Sequence, residues 1–283
     1  MLIHLREILK EAQNKNYALG AFNTSNLEIT LGIINGAIAK KSPVIVQISE
    51  ATIDYAGLKP ITQIVQTIAK SKAINIPVIL HLDHGKNFRS IAECIKAGFS
   101  SIMIDASDLP FDENVALTKQ AVDYAHKHGV LVQGELGTVV RDVSQFREAF
   151  FTDPDQAAEF VKATGVDTLA VSIGNVHGII KMRQGVPKLD FERLKTIYEK
   201  VEIPLVLHGA SGLAKEEIEK AIELGIRIIN IHTEIDLTFT QALRWTLIKA
   251  PEEVDPRKIF SQAIKAVQKI VEEKLEMFGL VNL

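Results

Sequence analysis

The 283-residue chain has 47% apolar and 24% charged residues, with 32 Lys and Arg against 35 Asp and Glu for a net charge of −3. Such a composition belongs to a soluble globular protein long enough to bury a substantial core, and near-balanced charge without any basic run argues against a general nucleic-acid binder. The single Cys94 excludes an internal disulfide framework and a zinc site built of cysteines, and fits a reducing compartment.

The opening MLIHLREILKEAQNKN scatters charges among its apolar positions and reads as a helix, not as a signal peptide. No window approaches the ~18 consecutive apolar residues of a membrane span, so the expected location is the cytoplasm, with no membrane partner. Short β-prone apolar runs then recur: LGAF (19–22), PVIVQI (43–48), PVILHL (77–82), SIMID (101–105), VLVQGEL (130–136), DTLAVSI (167–173), PLVLH (204–208) and RIINI (227–231). Several are apolar nearly throughout, the pattern of parallel strands covered on both faces. Between them lie segments with helical spacing, such as 111–128, where Val115, Leu117, Thr118, Ala121, Val122 and Ala125 share one side. Pro43, Pro77 and Pro204 stand where strands start, and Gly98, Gly129, Gly165 and Gly225 where helices end.

Eight strand–helix units without a linker predict an α/β fold, one (β/α)8 TIM barrel domain over residues 1–283. A doubly wound sheet is the main competitor, but AFNTSN, after the first strand, has no Gly-rich dinucleotide fingerprint. From Arg257 to Phe278 the apolar positions Phe260, Ala263, Ile264, Val267, Ile270, Val271 and Leu275 predict an extra C-terminal helix that closes the barrel or contacts another subunit.

In such barrels the reactive groups stand at the C-terminal ends of strands. Here the third strand runs into Asp83-His84-Gly85, the fourth into Asp105, and the fifth carries Glu135; the sixth leads to Asn175 and His177, the seventh ends at His208 and the eighth at Asn230. His84, His177 and His208 form the set a catalytic zinc uses while leaving one position open for substrate. Asp83 beside them is the candidate general acid/base, against the plainer reading of a cap or supporting carboxylate. His81, inside the third strand, is expected to be packed, and His4, His126, His128 and His232 to lie on helices or their caps.

Small residues in His208-Gly209-Ala210-Ser211-Gly212, ahead of a predicted helix, and the stretch Asn230-Ile231-His232-Thr233, opening the next, offer backbone N–H groups to a phosphate. Lys181 either adds a cation near the same pocket or is a solvated surface lysine. A metal, an acid/base and a phosphate pocket together favour chemistry on a phosphorylated carbonyl compound. Spacing alone leaves aldol cleavage, isomerisation and epimerisation open.

At these residues the chain resembles the class II, metal-dependent fructose-bisphosphate and tagatose-bisphosphate aldolases. The resemblance runs from AFNTSNLEIT (21–30) to VDPRK (254–258), with HLDHG, GFSSIMIDAS, GELGT, FTDP, IGNVHGIIK, LVLHGASGL and INIHTEI in family order. It implies that His84, His177 and His208 hold the catalytic zinc, that Asp83 moves the proton of the C4 hydroxyl, and that Gly178, Gly209, Ala210, Ser211, Asn230, Ile231, His232 and Thr233 bind dihydroxyacetone phosphate, Asn230 orienting the enediolate. Lys181 matches a residue beside the phosphate, and Arg257 is brought toward the distal one. Asp105 and Glu135 match carboxylates associated in the family with an additional position for a second metal ion or a monovalent cation.

The implied activity is reversible cleavage of a ketose 1,6-bisphosphate, fructose 1,6-bisphosphate first, to dihydroxyacetone phosphate and glyceraldehyde 3-phosphate by a homodimer or homotetramer. One departure bears on it: after GELGT the family usually continues with a Gly-Gly pair and acidic residues on a mobile loop, whereas this chain reads VVRDVSQFREAFFTDP. Asp142 is then the expected replacement acid, with Glu148 the other nearby carboxylate, and the two β-branched valines stiffen the hinge. The departure keeps open a tagatose-bisphosphate or related phospho-keto-sugar aldolase and a non-catalytic sugar-phosphate-binding paralogue. Gln133, where a Glu is frequent, is a smaller change.

Overall fold

The computed structural model describes residues 5–140, 147, 150–178 and 188–279. In chain order the elements are α1 (Leu5–Lys15), β1 (Leu19–Asn23), α2 (Leu27–Lys40), β2 (Val44–Ser49), α3 (Glu50–Ala56), α4 (Leu58–Lys72), β3 (Val78–Gly85), α5 (Phe88–Ala97), β4 (Ser101–Ile104) and α6 (Phe111–Lys127). There follow β5 (Leu131–Leu136), α7 (Pro154–Thr164), β6 (Thr168–Val171), α8 (Phe191–Val201), β7 (Leu205–Leu207), α9 (Lys215–Glu223), β8 (Ile226–Ile231), α10 (Thr233–Lys249) and α11 (Pro256–Met277). All eight predicted strands pair in parallel with their chain neighbours, and β8 returns to β1, closing the barrel.

Strand residues are buried along almost their whole length, because helices cover the outside and side chains fill the inside. On α6 the predicted inner face holds for Thr118, Ala121, Val122 and Ala125, while Val115 and Leu117 are half-buried at its edge. Asn114 joins that face although polar, because its amide donates to the Glu135 carbonyl at 3.0 Å and steadies the end of β5. Two strand ends differ from the expected bounds by more than one residue. β6 stops at Val171, since the next two amides turn to side chains: Ser172 N–H donates to Thr152 Oγ1 and Ile173 N–H to Asn175 Oδ1, each at 2.8 Å. β3 instead runs on to Gly85, and its pairing with β4 slips between Leu82 and Gly85.

The predicted C-terminal helix closes the barrel from outside. Val267 and Val271 of α11 lie against Gly32 and Gly36 of α2, where a Cβ would come within 2.6 and 2.7 Å of the valine side chains. Two glycines one helical turn apart thus let the axes approach more closely than any larger residue would allow. Beyond α11 the Phe278 carbonyl accepts from Ala18 N–H at 3.1 Å, tying the helix to the start of β1. Among the described residues no helix is long and apolar enough to cross a membrane.

Candidate active site

The slip in β3 decides what faces the barrel mouth. Neighbouring side chains on a regular strand point to opposite faces, so Asp83 and His84 would diverge. His84 takes φ of 51°, a left-handed conformation uncommon for a residue with a Cβ, and both side chains open into one cleft. Gly85 completes the turn: a Cβ there would lie 2.8 Å from the Met103 carbonyl.

The cleft, about 410 Å³, is lined by Asn23, Ser49, Glu50, Ala51, Asp83, His84, Lys86, His177, Gly178, Gly209, Ser211, Asn230, His232 and Thr233. A larger groove of about 540 Å³ runs beside Trp245, Lys249 and Lys258 on α10 and α11, but among its lining residues nothing resembles the convergent histidines of the barrel mouth.

His84, His177 and His208 each bring a ring nitrogen within 4.8 Å of the others. Their rings meet edge to face, with centroids 4.8 Å apart for His84 and His208, 5.6 Å for His84 and His177, and 5.8 Å for His177 and His208. Second partners orient them. His84 Nδ1 bonds Asp105 Oδ2 at 2.7 Å, which leaves Nε2 for a ligand; Gln133 Nε2 lies 2.8 Å from His208 Nε2, which leaves Nδ1. That His208 Nδ1 is fully buried and has no hydrogen-bond partner among the described residues. An orphaned imidazole nitrogen facing two other histidines fits a borderline metal ion. Asn175 also serves this shell, donating to the His208 carbonyl at 3.0 Å, and His177 N–H is held by the Val140 carbonyl at 2.9 Å. Val139 and Val140, the two hinge valines, are buried.

Electrostatics sort the titrating groups. Burial alone would raise the Asp83 carboxyl, but His84, His208 and the 2.7 Å hydrogen bond from Asn23 outweigh it and bring the pKa down to about 2. Asp83 is therefore a carboxylate at neutral pH, ready to accept a proton. Burial would lower His84, yet Asp83, the Asp105 hydrogen bond and Glu135 raise it to about 9. His208 goes the other way, held neutral by burial and by the neighbouring His84. Burial, with Asp105 adding to it, lifts Glu135 to about 8. Because a metal must displace the proton of a raised His84, its apparent affinity is expected to climb with pH up to about 9, by up to about tenfold per unit. A chelator-competition titration between about pH 6.5 and 9 reads this directly, and a flat profile would contradict it.

The side expected to take a phosphate is built differently from the expectation at one point. α9 begins only at Lys215, and its first turn is closed by its own Glu217, whose carboxylate accepts from Ala214 N–H at 3.3 Å. In the loop after β7, Gly209 and Ser211 line the cleft, and no residue of α9 does. Gly209 has φ of 61°, and a Cβ on it would lie 2.5 Å from the Val176 carbonyl, so the loop passes where only glycine fits. After β8 the helix N-terminus is real: α10 starts at Thr233, and no side chain of its cap residue His232 satisfies the first amides. Glu234 N–H reaches Ser211 Oγ at 3.4 Å, and the Glu234 carboxylate pairs with the buried Lys274 of α11 at 2.9 Å, joining the two loops and the terminal helix.

Of the residues expected here, Asp83, His84, His177, Gly178, Gly209, Ser211, Asn230, His232 and Thr233 line the cleft. Ala210 and Ile231 do not; their side chains sit in the hydrophobic core. Asp105 and Glu135 are buried behind His84. Arg257 is surface-exposed and paired with Asp255 at 2.8 Å, and it is not among the cleft residues. Asp142, Glu148 and Lys181 lie outside the described residues. His81 is packed as expected, its Nδ1 2.8 Å from Ser101 Oγ. Sequence reasoning overlooked Asn23, Ser49, Glu50 and Lys86. The signal was present for Asn23, a polar residue closing an apolar strand like the others.

The family model "Fructose-bisphosphate aldolase class-II" matches residues 3–282. A fructose-bisphosphate aldolase of Geobacillus stearothermophilus is 43% identical over 281 residues, 98% of this chain and 97% of that protein. One of Staphylococcus aureus (strain Mu50 / ATCC 700699) is 40% identical over 284 residues, 99% of this chain and 98% of that protein. The crystal structure of the YdjI aldolase from Escherichia coli K12 matches with a TM-score of 0.84 at 38% identity, covering 99% of this chain and 98% of that one.

Proposed function

We propose, from the premise that the chain belongs to the class II fructose-bisphosphate aldolase family, that it is a lyase cleaving fructose 1,6-bisphosphate to dihydroxyacetone phosphate and glyceraldehyde 3-phosphate with a zinc ion held by His84, His177 and His208. The observation that carries this reading is the meeting, at one barrel mouth, of three histidines whose ring nitrogens lie within 4.8 Å of one another, an ionised carboxylate and the loops after β7 and β8. Zinc bound there supplies a Lewis acid that polarises the C2 carbonyl and bears charge on the three-carbon fragment.

The chain's own residues do the rest. Asp83 takes the C4 hydroxyl proton; the electrons of that O–H bond form the C4 carbonyl while the C3–C4 pair passes to C3, next to the polarised ketone. Asn23 holds the Asp83 carboxylate in place through its 2.7 Å hydrogen bond. Gly209 and Ser211, with the amides opening α10 at Thr233, bind the phosphate of the dihydroxyacetone half. Asn230, buried at the end of β8, orients the C2–C3 unit of that half. Asp142 and Lys181 lie outside the described residues, and the family resemblance assigns them the return of a proton to C3 and a cation for the phosphate. Gln47, 3.5 Å from Asp83, adds a polar neighbour on the inner side of the carboxylate.

Turnover measured in a coupled assay tests the reading. Fructose 1,6-bisphosphate is expected to be cleaved faster than tagatose 1,6-bisphosphate, its epimer at C4. Cleavage of tagatose bisphosphate alone would replace the substrate and keep the mechanism. Binding of dihydroxyacetone phosphate with no cleavage of either sugar would remove the lyase activity altogether.

A further inference from the structure

Beside the histidine trio lies a second group with metal-ligand spacing: one ligand atom each from His84, Asp105 and Glu135, all within 4.8 Å. We infer that the ammonium group of Lys86 is the resident cation of this group, so that the chain binds one metal ion, at His84, His177 and His208, and none at the carboxylates.

A carboxylate has about four lone-pair positions, and those of Asp105 are all spoken for. Oδ2 accepts from His84 Nδ1 and from Lys86 Nζ, both at 2.7 Å. Oδ1 accepts from Ser107 Oγ at 2.8 Å and from Ser107 N–H at 3.2 Å. His84 Nδ1 is spent in the same contact, so two of the three candidate ligand atoms are engaged before any ion arrives. Lys86 reaches the site because of the bulged end of β3, and its backbone is pinned there by the Glu50 carboxylate, which accepts from Lys86 N–H at 2.9 Å. Asp108 stands 3.8 Å from Nζ on the outer side. A divalent ion at the carboxylates would meet a fixed positive charge a few ångströms away, and like charges so close exclude one another. The lysine thus does as a tethered group what a second ion would do as a free one: it neutralises Asp105 without leaving when substrate enters.

The inference rests on the histidine trio as the first metal site, and its test separates the two. Tag-free protein is stripped with a chelator, equilibrated with excess Zn2+, passed through gel filtration and counted for metal per chain by mass spectrometry. The wild-type chain is expected to hold one ion, K86M and K86S two, and K86R, which restores a cation, one. In a parallel titration with 113Cd2+, the second equivalent is expected to bind at least tenfold more tightly to K86M than to the wild type, with a second cadmium resonance. Half-exposed Lys86 is not part of the core, and two neutral variants guard against a folding defect in either. Two ions in the wild-type chain, or one in both neutral variants, would overturn the proposal. A wild-type chain that holds none would instead defeat the trio as a metal site.

Discussion

Asp83→Ala is expected to lose about 10³-fold in kcat for bisphosphate cleavage, roughly 4 kcal/mol of barrier, while retaining its metal. The carboxylate touches no metal in the proposed arrangement, and the three histidines keep their own partners, Asp105 and Gln133 among them. What disappears is the base for the C4 hydroxyl, held ionised by His84 and His208 and pinned by Asn23. Asp83→Asn sharpens the result, because its amide oxygen still accepts from Asn23 and yet cannot take the proton, so it should fall about as far as the alanine variant. Metal content, steady-state cleavage and exchange of the C3 proton of dihydroxyacetone phosphate are the three readouts. Exchange does not involve the C4 hydroxyl and should suffer far less than cleavage. Near-normal cleavage by either variant would remove Asp83 from the mechanism.

Chelation is expected to have the other large effect. Treatment with EDTA should lower cleavage at least about 10³-fold, the several kcal/mol that a Lewis acid contributes at a developing oxyanion, and added Zn2+ should restore it. The buried His208 Nδ1, which has no hydrogen-bond partner among the described residues, is the structural reason to expect that the metal-free protein stays folded but poorly satisfied, so the returning ion should also raise its melting temperature. Borohydride in the presence of substrate should leave the enzyme uninactivated, since nothing in the cleft requires an imine with a lysine. Full activity after exhaustive chelation, or inactivation by borohydride, would point to a different chemistry.

Much of this was legible in the residues. Strand periodicity, the prolines before β2, β3 and β7, and the helix-ending glycines, of which Gly98, Gly129, Gly165 and Gly225 all adopt positive φ, are local signals that the barrel keeps. The polar residues at the ends of the third to eighth strands were likewise visible, because one barrel geometry sends them all to one mouth. The slip in β3 was not readable in advance: it depends on how Leu82 to Gly85 pair with β4, a contact between distant segments. Nor was the start of α9 at Lys215, with Ala214 N–H taken by Glu217, which leaves Gly209 and Ser211 of the preceding loop, and no residue of α9, on the cleft. Lys86 stood next to the most informative motif in the chain and drew no reading of its own. The position of Asp105 across the strand gap gives its ammonium group a hydrogen-bond partner at 2.7 Å.

The seam between β1 and β8 carries a consequence for how the molecule comes into being. Ala21 pairs there with Asn230, one residue past the last partner β7 offers, so the residue that would orient the substrate gains its own strand partner when the first and last strands meet. Until then a growing sheet has two raw edges, and joining them demands that the most distant parts of the chain find each other, the slowest kind of step in assembling a protein. Recovery of catalysis after dilution from denaturant should therefore lag behind recovery of helix content, with competence arriving last, at the moment of closure.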